Sequence, residues 1–278
     1  MRLQRSHVSG VAAVKEPPEL GLGAKIAIAL SLTGIGGFVD AVGYIALFQI
    51  FTANMSGNTV HVGMYLGQFD FSQLLRPACA IGAYLTGMIL TRITVQVAAR
   101  CELRRIASFT LAVEALLLLL FARATPVMHL GEIVDLHSLN YFSLVALLAF
   151  AMGVQTATLT HIGPFTVYTT FVTGTLTKFA ESFTRALFWS YDRFRYQDRA
   201  SDIVGLASRQ QDVRETALLA STWICYVLGA ALGTIIKQRW QLRALYVPVA
   251  VLLVFILIDL FRPIDIEEER HQQGQNKL

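Results

Sequence analysis

The chain of 278 residues is 54% hydrophobic and 15% charged, with a formal net charge of +4. Soluble domains average about 25% charged residues. Here the charges crowd into a few short stretches between long uncharged blocks, which is typical of proteins that cross a lipid bilayer several times. The sequence has no compact basic segment with interleaved aromatic residues, which argues against nucleic acid as a partner.

Six blocks are apolar over roughly the length of a membrane-spanning helix, which is about 20 residues. In chain order they are residues 25–48, 74–97, 106–121, 139–159, 216–236 and 245–261. They predict an all-α polytopic membrane protein with a single membrane domain at 25–262. We expect a cytoplasmic tail at 1–24, a polar loop at 190–215 and a disordered tail at 263–278.

Three cysteines, Cys79, Cys101 and Cys225, lie far apart in the chain. No cluster of cysteine and histidine has the spacing of metal ligands. We interpret the cysteines as small hydrophobic residues, and we expect neither a metal site nor a cofactor.

The most informative stretch is 51–61, Phe-Thr-Ala-Asn-Met-Ser-Gly-Asn-Thr-Val-His, which places six polar side chains around Gly57 inside an apolar region. Asp40 lies shortly before it. Hydrocarbon does not solvate such groups, so they must face protein, water or a ligand. Because glycine allows close backbone approach, and because Asn54 and Ser56 are residues that cap helices, the stretch predicts a broken helix.

The chain also carries signs of an internal repeat, with one copy at about 25–123 and the other at about 138–262. Gly-Phe-Val-Asp-Ala at 37–41 resembles Gly-Val-Gln-Thr-Ala at 153–157.

Two further matches follow in the same order along the chain. Residues 51–58 resemble residues 168–175, and Ala83 and Gly87 match Gly229 and Gly233 at the same spacing of four. Three ordered matches favour a duplication. Transporters are often built from two such repeats, whose broken helices meet near the bilayer midplane.

The number of spans is six or eight, depending on whether 51–66 and 165–183 cross the membrane. Basic loops prefer the cytoplasm. With six spans, both termini, the loop at 100–105 and the loop at 191–215 share the cytoplasmic side, and the two three-span repeats are inverted. With eight spans, two basic loops lie outside. We therefore expect about six full transmembrane helices plus two broken or re-entrant helices.

The first-half motif, Gly-x-x-Asp-Ala followed by Phe-Thr-Ala-Asn-Met-Ser-Gly-Asn, resembles the signature of the YoaK-like family of bacterial integral membrane proteins. Residues 153–157 and 170–177 are similar to that family's second-half motif, although Thr156 stands where the family usually has an amide. The resemblance runs from about residue 24 to residue 261. It implies a multi-pass protein of the bacterial inner membrane, and it implies fold and location more than function.

Candidate residues for solute binding or coupling are polar residues and glycines that lie within apolar stretches. They are Asp40, Asn54, Ser56, Gly57, Asn58, Glu114, Gln155, Thr156, Thr170, Thr173, Gly174 and Thr175. Asp40 has two interpretations, a proton or cation site and an anchor for the turn that follows it. The others either face a solute or join helices to one another.

Small residues in the spans predict close contacts between helices. These are Gly82, Ala83, Gly87, Gly229 and Gly233. Asp259 lies near the end of the last span, where we expect it to pair with Arg262.

The favoured function is a membrane transporter or permease for a small polar or ionic solute, with its site between the two repeats. The alternative is a non-transporting accessory or sensor protein that uses the polar core for packing. An intramembrane enzyme needs a nucleophile with a base, or a metal cluster, within a span; neither is visible, so we expect no enzymatic activity. The sequence leaves the solute, the coupling ion and homo-oligomer formation open.

Overall fold

The computed structural model describes residues 20–101, 105–124, 136, 138–158, 161–162, 165–166, 170, 172–195, 210–262 and 264. The predicted tails at 1–24 and 263–278 lie almost entirely outside these residues, so their predicted character stays a prediction.

The described chain is almost entirely helical. Its α-helices, numbered α1 to α8 in chain order, are Leu22–Ala46, Met55–Gly67, Phe71–Arg100, Ile106–Ala124, Leu139–Thr158, Val172–Arg195, Gln211–Trp240 and Tyr246–Phe261. A 3₁₀ helix, Gln241–Leu245, joins α7 to α8, and a two-residue antiparallel ladder pairs His161–Ile162 with Phe165–Thr166 between α5 and α6. The all-α class is confirmed.

Five of the described helical segments are long and apolar enough to cross a membrane. They are α1, α3, α4, α5 and the segment Gln211–Phe261, which contains both α7 and α8. Helix α2 has 13 residues. At 1.5 Å per residue it is about 20 Å long, which is shorter than the hydrocarbon core of about 30 Å.

The polar loop is shorter than its predicted bounds of 190–215, because α6 continues to Arg195 and α7 begins at Gln211. Contacts between the two helices hold their ends together. The Arg185 guanidinium lies 2.8 Å from the Asp212 carboxylate, and the Ser182 hydroxyl donates to the Asp212 carbonyl at 2.9 Å. The charged residues at 192–195 and at 212–215 therefore belong to helices, while residues 196–209 lie outside the described part of the chain.

The helices pack as crossed pairs. Helix α1 lies along α7, α3 lies along α5, and α4 packs against both α5 and α8. The short α2 rests on α3, and α6 rests on α7. A single apolar cluster fills the space between these pairs, with Leu32, Val39, Leu148 and Met152 among its buried members. This pairing brings the start of α2 and the start of α6 to the same part of the molecule.

Glycines set how closely the crossed helices approach. A Cβ atom on Gly37 of α1 would overlap the carbonyl oxygen of Tyr226 on α7, and one on Gly153 of α5 would overlap the carbonyl oxygen of Tyr84 on α3. The predicted packing glycines on α3 and α7 meet backbone in the same way: Gly87 meets Phe150, Gly229 meets Gly34, and Gly233 meets Phe38.

The structure differs from the prediction at Gly82. This residue is exposed, and a Cβ atom there would meet nothing within 4 Å. Gly82 lies on the face of α3 that points away from α5. The close contact of α3 with the α5 backbone is made by Gly87 instead. Ala83 is partly buried and packs against the apolar cluster.

Asp259 also differs from its predicted pairing with Arg262. Its buried carboxylate accepts from the backbone N–H of Ser108 at 3.0 Å, from the Ser108 hydroxyl, and from the N–H of Ile264 at 2.6 Å. The first turn of α4 has N–H groups without helical partners, and a carboxylate satisfies them well. Asp259 therefore joins α4, α8 and the chain that follows α8.

We expect Gly229→Ala and Gly87→Ala to lower the melting temperature of the detergent-extracted protein. Each added methyl overlaps backbone that cannot move away cheaply, and overpacking of this kind costs about 1–3 kcal/mol. Gly82→Ala is the matched control, because it makes the same change on α3 in open space; its melting temperature should be unchanged or slightly higher. Equal melting temperatures for all three variants would contradict the close crossings.

Candidate functional site

The site is organised around the carboxylate of Asp40, which is 5% exposed. Its Oδ1 accepts from the backbone N–H of Thr52 at 2.8 Å, from the Thr52 hydroxyl at 3.2 Å, and from the backbone N–H of Ala53 at 2.7 Å. Its Oδ2 accepts from the Tyr226 hydroxyl at 2.7 Å. One side chain thus joins α1, the unwound chain before α2, and α7.

The unwound chain between α1 and α2 has its own internal support. Phe48 and Gln49 adopt the left-handed backbone conformation, with φ of 52° and 68°, and they end α1. The buried Asn58 amide then accepts from the backbone N–H of Phe51 at 3.1 Å and donates to the Phe51 carbonyl at 2.7 Å. These bonds replace the helical partners that an interrupted backbone loses within a membrane.

Helix α2 begins with a side-chain cap. Asn54 is the N-cap residue, and its side-chain oxygen accepts from the N–H of Gly57 at 3.3 Å and from the Ser56 hydroxyl at 2.7 Å. A Cβ atom on Gly57 would overlap the Phe51 ring, so the glycine is needed for the ring to fold over the first turn of α2. This first turn carries three of the predicted site residues.

A cluster of three hydroxyls joins α3, α5 and the chain before α6. The hydroxyls of Thr156 and Thr170 lie 2.6 Å apart. The Tyr84 hydroxyl donates to Thr156 at 2.9 Å and lies 3.2 Å from the Thr170 hydroxyl. Thr156 also donates to the Met152 carbonyl, so the cluster is tied to α5.

The two clusters share a cavity of about 510 Å³. Its wall comes from the start of α2, the start of α6, the middle of α3 and α7, and the end of α5. The lining residues are Ala53, Asn54, Met55, Ser56, Tyr84, Met88, Thr156, Thr170, Val172, Thr173 and Tyr226. The predicted site residues Asn54, Ser56, Thr156, Thr170 and Thr173 therefore meet at one place, although they are far apart in the chain.

Other predicted site residues do not line this cavity. Gln155 is fully buried and donates to the Leu32 carbonyl of α1. Glu114 is fully buried on α4, and neither carboxyl oxygen has a hydrogen-bond partner among the described residues. Gly174 and the buried Thr175 lie in the first turn of α6, behind Thr173.

Tyr84, Tyr226 and Met88 of the cavity wall were not among the predicted site residues. Each stands in an apolar span, where residue type alone does not distinguish it from residues that face lipid. A signal was nevertheless present, because Tyr-Leu-Thr-Gly at 84–87 and Tyr-Val-Leu-Gly at 226–229 share a spacing. The glycine of each motif lies against the backbone of the facing helix, and the tyrosine of each motif lines the cavity.

The described part of the chain contains no set of side chains arranged to bind a metal ion. No group of three or more His, Cys, Asp or Glu side chains lies close enough there to hold a metal ion. What the cavity offers is hydrogen bonding through hydroxyl and amide groups, together with apolar contact through aromatic rings and thioethers.

The long apolar helices define the class of protein, which is a multi-pass helical membrane protein. A profile of the family described as "Protein of unknown function (DUF1275)" matches residues 28–258, and the chain belongs to this family. The chain is also similar to "UPF0700 transmembrane protein YoaK" of Bacillus subtilis (strain 168), with 25% identity over 221 residues, which is 78% of this chain and 85% of that protein. The predicted YoaK-like membership is confirmed. No solved structure matches the chain.

We expect Asp40→Ala to destabilise the protein strongly and Asp40→Asn to do so only mildly. Alanine leaves the buried N–H groups of Thr52 and Ala53 without an acceptor, at about 1–3 kcal/mol each. Asparagine keeps one acceptor oxygen for them and weakens only the bond to Tyr226, at about 1 kcal/mol. Melting temperatures of the detergent-extracted variants measure the order, and Tyr226→Phe should resemble Asp40→Asn. A wild-type melting temperature for Asp40→Ala would remove its anchoring role.

Proposed function

We propose that this protein is a transporter or permease for a small polar or ionic solute, and that the cavity of about 510 Å³ is its solute site. The observation that carries the proposal is the composition of the cavity wall. Two helices start at this wall, one in each half of the chain, and both are preceded by interrupted backbone. Discontinuous helices that meet at a central site are the usual construction of secondary transporters.

We also propose that the two halves are repeats of one unit. The crossing of α1 with α7 has Gly37 against the Tyr226 backbone, and Asp40 receives that tyrosine's hydroxyl. In the crossing of α5 with α3, Gly153 lies against the Tyr84 backbone, and Thr156 receives its hydroxyl. If the two crossings correspond, Gly87 on α3 is the counterpart of Gly229 on α7. The sequence match instead paired Gly87 with Gly233, which lies one helical turn further along α7.

The proposed topology has six spans, with both termini in the cytoplasm of a bacterial cell and the chain in its inner membrane. The segment Gln211–Phe261 has 51 residues, which as one straight helix is about 75 Å long and far exceeds the bilayer core of about 30 Å. It therefore supplies two spans, α7 and α8. Helix α2 is too short to cross alone, and α6 carries charges along its length, so both are counted as re-entrant or partial helices.

Reporter fusions at Leu130 and Arg199 test this topology; both sites lie outside the described residues. A reporter that is active only in the periplasm should be active at Leu130 and inactive at Arg199, because the Arg-rich loop prefers the cytoplasm. A complementary cytoplasmic reporter provides the control. If both sites report the same compartment, the six-span inverted arrangement is wrong.

Filling the cavity should abolish transport. We expect Thr173→Trp to stop the uptake of radiolabelled small polar solutes into proteoliposomes, because the indole would occupy the space beside the start of α6. Thr177→Trp is the matched control, since Thr177 is exposed one turn further along the same helix and does not line the cavity. Uptake by Thr173→Trp at the wild-type rate would contradict the proposed site.

The same experiment distinguishes transport from an accessory or sensor role. A sensor binds its solute without moving it, so solutes would raise the melting temperature of the wild type while uptake stayed at the level of protein-free liposomes. Loss of that stabilisation in Thr173→Trp would still assign the cavity as the binding site.

A further inference from the structure

The charges around the cavity restrict which solutes it can hold. Hydroxyl and amide groups provide its polarity, and none of the described residues that line it is formally charged. The chain between Thr158 and Val172, part of which lies outside the described residues, contains no Asp, Glu, Lys or Arg. A bound ion would therefore find no opposite charge on the wall.

Asp40 does not line the cavity, but its partners Ala53 and Tyr226 do. Among the described residues, the hydrogen bonds that Asp40 receives come from Thr52, Ala53 and Tyr226. A cation would have to displace these donors to reach the carboxylate. An anion gains little from the start of α2, because Asp40 itself binds the N–H groups just before that helix, and Asn54 caps its first turn.

Hydration then decides between charged and neutral solutes. An ion that leaves water for an interior of low dielectric loses several kcal/mol of hydration, and only a counter-charge or many donors restore it. A neutral hydroxyl exchanges bonds with water for bonds with protein at nearly even free energy. The wall hydroxyls both donate and accept, so they can pair with hydroxyls of a solute in either direction.

We propose that the cavity binds a small, uncharged, hydroxyl-rich solute of the polyol or monosaccharide class, a proposal that rests on the proposed function. Thr173, Ser56 and Asn54 supply polar contacts at the two helix starts, and Thr170 supplies another from the chain before α6. The rings of Tyr84 and Tyr226 and the thioethers of Met55 and Met88 cover the C–H faces of such a solute. The volume of about 510 Å³ is within the usual range for small-molecule sites.

Osmotic swelling of proteoliposomes tests this class directly. Light scattering follows swelling with erythritol, xylitol or glucose as neutral probes, and with sodium lactate, sodium phosphate or ethanolamine hydrochloride as charged ones. We expect protein-dependent entry of at least one neutral probe and no protein-dependent entry of the charged ones. Protein-free liposomes give the background rate.

A pair of variants connects the flux to the cavity. Thr173→Val removes one hydroxyl from the wall while keeping its shape, and it should raise the concentration of neutral probe that gives half-maximal entry about fivefold, the equivalent of one hydrogen bond of about 1 kcal/mol. Thr177→Val makes the same change outside the cavity and should leave that concentration unchanged. Melting temperatures of both variants check that they fold.

The outcomes separate the solute class from the transport function. Entry of only the charged probes would overturn the neutral class while leaving transport intact. Stabilisation of the wild type by a neutral probe without entry, lost in Thr173→Val, would support the solute class and overturn transport. If no neutral probe enters the proteoliposomes and none raises the melting temperature, the assignment of the solute class is wrong.

Discussion

The rest of the site depends on one buried carboxylate accepting hydrogen bonds from interrupted backbone. Unwound chain inside a membrane exposes N–H groups to hydrocarbon, where each unsatisfied group costs several kcal/mol. Asp40 accepts two of these N–H groups, from Thr52 and Ala53, and a hydroxyl from α7 as well. The break before α2 is tolerated because this acceptor is present, and the cavity exists because the break leaves room beside the neighbouring helices.

The position of that acceptor depends in turn on a glycine. Gly37 and Asp40 are three residues apart, so they lie on the same face of α1. Contact of Gly37 with the backbone at Tyr226 brings α7 close enough for the tyrosine hydroxyl to reach Asp40. A larger residue at 37 would separate the helices and lengthen this bond. The close packing at Gly37 and the hydrogen bond at Asp40 therefore depend on each other, and the spacing Gly-x-x-Asp places both on one face of α1.

Hydropathy predicted most of the fold because apolar length decides which segments become spans. The predicted span at 139–159 and the observed α5, for example, agree to within a residue. Helix α6 was harder to predict, because it is amphipathic and its Arg-rich end was assigned to the loop.

In the site, the turn at 51–58 was predicted from its residue types, whereas Tyr84 and Tyr226 were not. Whether a polar residue in a span faces the cavity, as Thr156 does, or a neighbouring helix, as Gln155 does, depends on helix rotation, and the apolar composition of these spans does not encode it.

The two crossings share a geometry, but the acceptors of their tyrosine hydroxyls differ. Tyr226 donates to a carboxylate, and Tyr84 donates to the hydroxyl of Thr156. Hydrogen bonds to an ionised acceptor are about twice as strong as those between neutral groups. Separating α3 from α5 breaks the bond of Tyr84 to Thr156 and the bond of the Cys79 thiol to the Phe142 carbonyl, while separating α1 from α7 leaves the buried Asp40 carboxyl without its donor from Tyr226.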